Sequence, residues 1–159
     1  MSDKPTTFEE LLADLSRHDV DYILVGGLAV TLCGFVRATL DVDILIQADS
    51  ENIRRLLQRL EYFGDGHARE LEPDDFKMEE GSIRIVEEFA IDIFTLMSGN
   101  TYEDLLPLTA RHTLGDVEVV YLNAEGLIAL KSKSLRPQDQ IDVLALRDIL
   151  RGSDSNSRG

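Results

Sequence analysis

The sequence predicts an α/β (α+β) domain, a mixed β-sheet flanked by helices. Three observations lead there. Residues 20 to 47 read as strand, glycine turn, helix and strand; residues 82 to 95 and 109 to 122 alternate apolar and polar side chains as strands do; and amphipathic helical stripes stand at both ends and in the middle. The chain has 159 residues, 43% of them hydrophobic, enough for one domain with a real core. A single domain over 1–151 is expected, followed by a tail, 152–159, with nothing to bury and no fixed structure.

The elements follow in order. Thr6 or Thr7 before Glu9 and Glu10 predicts an N-cap with an acidic first turn, and Phe8, Leu11, Leu12 and Leu15 form a helical stripe over 7–18. Val20 to Val25 is apolar, partly β-branched and closed by Gly26-Gly27, a buried strand. Leu28 to Cys33 fits a short helix ended by Gly34, and Thr39 to Gln47 alternates as a strand. Ser50 is expected to cap a third helix, with Ile53, Leu56, Leu57 and Leu60 inward and Arg54, Arg55 and Arg59 on a solvated face. Residues 65–80 are weakly patterned, a loop with at most one strand. Ser82 to Val86 and Glu88 to Thr95 are strands. Thr109–Thr113 and Val117–Leu122 flank the turn Leu114-Gly115-Asp116 as a hairpin. Asn123 caps a helix to about Ser134, and Pro137 starts the last one.

Thirty acidic against sixteen basic residues give a formal charge of -14. Such a field repels phosphate backbones unless the basic residues gather on one face. A small-molecule, cationic or protein partner is favoured over free nucleic acid. The single cysteine, Cys33, sits among apolar residues and reads as a small hydrophobe. The N-terminus has no apolar signal region and no apolar run approaches the roughly 20 residues of a spanning helix, so a cytoplasmic protein without membrane contact is expected. His18, His67 and His112 are scattered without ligand spacing, and no nucleophile elbow, Walker A lysine or G-x-G-x-x-G follows a strand.

One stretch carries chemistry. In "ILVGGLAVTLCGFVRATLDVDILI", residues 23–46, Arg37, Thr39, Asp41 and Asp43 share one side if the extended chain begins that early. Two carboxylates placed next-but-one repel each other unless a cation sits between them, and Mg²⁺ takes a few carboxylates completed by water and substrate phosphates. Gly26-Gly27 ends a strand and opens a helix, leaving backbone N–H groups clear of side chains, where a phosphate can dock.

Gly26-Gly27 followed by Arg37-Ala-Thr-Leu-Asp41-Val-Asp43 resembles the signature of the nucleotidyltransferase superfamily related to DNA polymerase beta. The wording "VGGLAV" with "RATLDVDILI" is most similar to its small AbiEii-, MenT- and MNT-like branch. The resemblance implies a nucleotidyltransferase fold and an enzyme that moves a nucleoside monophosphate from a nucleoside triphosphate to a hydroxyl of a small molecule, a protein or an RNA end. It implies two metal ions, Mg²⁺ or Mn²⁺, held by Asp41, Asp43 and a third carboxylate on a later strand. Asp92, alone among apolar residues in Phe89 to Phe94, fits that place, with Glu88 as fallback. Gly26, Gly27, Arg37, Thr39, Lys131 and Arg136 become the expected nucleotide contacts. Lys131 and Arg136 also have a purely structural reading, since Asp139 and Asp142 near the start of the last helix and Arg147 and Arg151 near its end complement a helix dipole. The branch further implies a toxin–antitoxin setting with a cognate protein partner, and the contrasting function, a catalytically weak antitoxin or regulatory binding protein on the same fold.

Overall fold

The computed structural model describes residues 7–157. Helix α1, Phe8–Arg17, begins where Thr7 accepts a hydrogen bond from the Glu10 N–H at 3.2 Å and buries Leu11, Leu12 and Leu15. Thr6, the other expected cap, lies outside the described residues. Strand β1, Tyr22–Val25, is buried along its whole length, as a central strand of β-branched and aliphatic residues should be. Helix α2, Gly26–Leu32, follows without a connecting loop, and β2 spans Asp41–Ile46. The extended segment therefore starts two residues later than the alternation suggests. Arg37 and Thr39 sit in the irregular approach to β2 instead of within it.

Helix α3, Ser50–Leu60, is capped by Asp49, whose carboxylate accepts from the Asn52 N–H at 2.8 Å; the expected cap, Ser50, is already helical. Its inward stripe is as expected, but Arg59 is not simply solvated. Its Nε and Nη2 grip both oxygens of Asp14 at 2.9 and 3.0 Å, tying α3 to α1. Residues 65–80 contain no strand, only two single 3₁₀ turns at His67–Glu70 and Pro73–Asp75.

Strands β3, Ser82–Val86, and β4, Ala90–Phe94, form the next hairpin. A short helix α4, Tyr102–Leu105, precedes the hairpin of β5, Thr109–Leu114, and β6, Val117–Leu122. Helix α5, Ala124–Lys131, starts at the Asn123 cap, and α6 runs Pro137–Ser157. The last residues of α6 reach beyond 151, where the tail was expected to begin. Extending a helix already formed costs far less than starting one, so a polar Ser/Asp/Asn sequence can continue it. Residues 158–159 of that tail lie outside the described residues.

The six strands make one sheet in the order β3-β4-β2-β1-β6-β5. The pairs β2–β4 and β1–β6 are parallel and the rest antiparallel, the mixed sheet expected. The apolar residues of α1 and α3 pack with Ile23, Ile44, Ile46, Ile91 and Ile93 into one core. Among the described residues no helix is long and apolar enough to cross a membrane.

Candidate active site

Strand register assembles the site. Asp43 stands directly opposite Asp92 across the parallel β2–β4 pair, Arg84 opposite Asp92 across β3–β4, and Val25 opposite Asp43 across β1–β2. Residues facing each other on neighbouring strands point to the same side of a sheet. Arg84, Asp92, Asp43 and Val25 thus form one row across four strands, with Asp41 two residues before Asp43 on the same face. The chain leaves the row at Val25 straight into Gly26. That brings Gly26 against Asp43: a Cβ on Gly26 would lie 2.2 Å from Asp43 Oδ2, and its φ of +71° is one that side chains other than glycine's rarely adopt. The positive φ belongs to Gly26 and not to Gly27.

At Gly27 the crowding comes from the other expected partners. A Cβ there would lie 2.8 Å from Thr39 Oγ1 and 3.1 Å from Arg37 Nη2. Arg37 in turn donates through Nε and Nη2 to both oxygens of Asp142, at 2.9 and 3.0 Å. Lys131 Nζ lies 2.7 Å from Asp139 Oδ1 and 3.1 Å from Asp142 Oδ2. Asp142 is fully buried, and its oxygens are met by two cations and by the Gln138 amide, which donates at 2.9 Å. Asp139 and Asp142 are thus more than dipole complements: they fix Arg37 and Lys131 on the glycine-turn side of the aspartates. Arg136 touches this group only through the field of its charge on Asp139. It is exposed before α6, its backbone N–H donating to Ser134 Oγ.

The aspartates differ sharply in environment. Asp92 is 4% exposed, yet its carboxyl lies below the ordinary range. Burial alone would raise it, but Arg84 donates Nε and Nη2 to its two oxygens at 2.9 and 3.0 Å, and Ser82 Oγ adds a bond at 3.2 Å. The same Arg84 Nη2 reaches Asp41 Oδ2 at 3.2 Å. Asp92, alone among apolar residues in its own strand, is therefore compensated from the neighbouring strand by Arg84. Asp43 receives no such partner. Burial first, then the negative charge of and hydrogen bond with Asp92, and then Asp41, push its carboxyl up to about 7, against a smaller opposing pull from Lys131. Glu88 is exposed in the β3–β4 turn and plays no part in the row.

Three oxygen-donor carboxylates with surplus negative charge suit a hard divalent ion in kind. A guanidinium, however, stands between Asp41 and Asp92. Among the described residues, the group of three whose donor atoms lie within 4.8 Å of one another is instead Asp65, His67 and Glu87. Sequence spacing does not reveal this grouping of His67. It is assembled across distant sequence, with Glu87 oxygens accepting the Asp65 and His67 N–H at 2.9 Å each and His67 Nδ1 2.7 Å from the Val86 carbonyl. His18 and His112 remain exposed. Burial pushes the Cys33 thiol up to about 11, consistent with an inert side chain.

Arg84 is the residue that sequence reasoning missed. A signal existed: folding 82–86 onto 90–94 symmetrically about Glu88 places 84 against 92.

The chain aligns over 90% of its length with 89% of a solved structure from Thermotoga maritima, described as a "putative nucleotidyltransferase", with a TM-score of 0.53 and 17% identity, a likeness of fold. No curated protein matches. Residues 6–151 match the family described as "nucleotidyltransferase of unknown function" (DUF6036). The glycine turn, the same-face aspartates and the sheet that joins them are thus features of a chain that belongs to this nucleotidyltransferase family.

Proposed function

We propose that the chain is a divalent-cation-dependent nucleotidyltransferase that moves a nucleoside monophosphate from a nucleoside triphosphate to an acceptor hydroxyl. The observation that carries this is the register: Asp43 opposite Asp92, with Asp41 two residues before on the same face, beside the Gly26-Gly27 turn. Asp41, Asp43 and Asp92 would hold Mg²⁺ or Mn²⁺. Bound there, the ion polarises phosphate oxygens and offsets the charge of the departing pyrophosphate. Below about pH 7 the three carboxylates keep one guanidinium and, on Asp43, one proton, together the charge of one divalent cation.

The remaining work falls to the protein. Gly26 and Gly27, lacking side chains, let Asp43, Thr39 and Arg37 close directly on the turn; Arg37, Thr39 and Lys131 stand where triphosphate oxygens can be met, the two cations preset by Asp142. Arg136, being exposed, serves only at the margin. In the transfer the acceptor oxygen bonds to the α-phosphorus, the bridge to the β-phosphate breaks, pyrophosphate leaves, and the hydroxyl proton passes to a carboxylate of the cluster. A cytoplasmic setting supplies such triphosphates. The acidic surface favours a small-molecule or protein acceptor, with an RNA end as a third class.

The test follows pyrophosphate release and acceptor labelling with each common nucleoside triphosphate and Mg²⁺ or Mn²⁺. Asp92→Ala is expected to abolish transfer while keeping most of the triphosphate affinity. Transfer at the wild-type rate by Asp92→Ala would refute the assignment. The Arg84–Asp92 pair specifically favours a second function, because it gives Asp92 a structural partner: a catalytically silent antitoxin or regulatory protein that binds a cognate partner. Partner binding without turnover across the acceptor panel would support it.

A further inference from the structure

Arg84 is placed to do more than pair with Asp92. One guanidinium makes three contacts to two carboxylates: 2.9 and 3.0 Å to the oxygens of Asp92 and 3.2 Å to Asp41 Oδ2. Its Nη2 bridges the two aspartates, the place a shared cation would take. Positive charge there repels an incoming cation, and oxygens accepting from the guanidinium have fewer lone pairs to offer. The contact is also built to open. Strand β3 lies at the edge of the sheet, and the Arg84 side chain is 55% exposed, so it can swing into solvent without unpacking the core. Antiparallel register with β4 returns it opposite Asp92.

We propose that Arg84 is a resident counter-ion that competes with the divalent cation for Asp92 and Asp41, and so sets how tightly the site takes that ion. Arg84 then acts through the aspartates as a positioning residue. It keeps a buried carboxylate compensated while the ion is away and opposes the ion's entry. This rests on the reading of Asp41, Asp43 and Asp92 as the divalent-cation site.

The competition gives a signature that a purely structural ion pair does not. Arg84→Gln should lower the melting temperature of the metal-free protein yet raise its Mn²⁺ affinity, on the order of tenfold by calorimetry, as expected for losing a competing charged hydrogen-bond partner. Arg84→Lys, which keeps the charge but lacks the fork, should fall between. In the wild type, Mg²⁺ saturation should shift the Arg84 Nε–Hε resonance towards that of a free guanidinium, a readout that needs no variant to fold. Unchanged or weaker Mn²⁺ affinity in a folded Arg84→Gln, or an unmoved Arg84 resonance at saturation, overturns the proposal. If the wild type binds the ion in an Asp43-dependent manner while Arg84→Gln is unaltered, only the counter-ion role fails. If neither protein binds the ion, the cation site fails with it.

Discussion

The Asp43 carboxyl, raised to about 7, makes the protein's stability report on its own site. In the metal-free protein the folded state keeps this proton between about pH 4 and 7, whereas the unfolded chain has released it. The folded state binds more protons in that window, so stability falls as pH rises through it and levels off above. Asp43→Asn, neutral in both states, should therefore be more stable than wild type by an amount that grows from pH 5 to 7 and plateaus near pH 8, at most about 4 kcal/mol. Urea titrations at the three pH values check this; a difference that shrinks with pH would contradict it. Gly26→Ala is the opposite kind of change. A positive φ and a Cβ 2.2 Å from Asp43 Oδ2 should cost at least about 2 kcal/mol in denaturant titrations and displace Asp43. At this scale Asp41, Asp43, Asp92 and the glycine pair were legible, because each breaks the local rules for an apolar segment. Arg84 was not, since an arginine in an alternating strand looks like any solvated residue until the strand is paired.

Elements were readable where the period was clear and the ends were marked by chemistry. The stripes of α1 and α3 and the Asn123 cap locate their helices, although the one after Asn123 ends at Lys131, short of the expected Ser134. Asp49 and Ser50 are both good caps, and tertiary placement chose the aspartate. The loop 65–80 and helix α4 lack a period, so neither their turns nor the Asp65–His67–Glu87 cluster left a local trace. Helix α6 makes a prediction of its own. Asp142 joins it to Arg37 before β2 and to Lys131 of α5. Removing this fully buried acid leaves Arg37, 21% exposed, without its carboxylate partner and Lys131, 13% exposed, with Asp139 alone. Asp142→Ala should lose about 3–5 kcal/mol and weaken triphosphate binding as Arg37 loses its anchor and Lys131 keeps only one of its two. Calorimetric melting with and without nucleotide measures both; an unchanged melting temperature would remove the hub from the account.

Across the whole molecule, the two parallel pairings bring distant segments together, and no local period specifies them. The order β3-β4-β2-β1-β6-β5 could be anticipated only by resemblance, yet it is what sets Asp92 beside Asp43. It also leaves a rival. The cation could settle not at the aspartates but at Asp65, His67 and Glu87, whose donor atoms lie closer together. The most direct test is a calorimetric titration of Mn²⁺ at pH 6 and pH 8 into the wild type, Asp43→Asn, Asp92→Asn and His67→Ala. Mn²⁺ is expected to bind more tightly at pH 8, because Asp43 must give up its proton, weakly or not at all in the two aspartate variants and normally in His67→Ala. Binding that survives in Asp43→Asn and Asp92→Asn but disappears in His67→Ala would contradict this expectation.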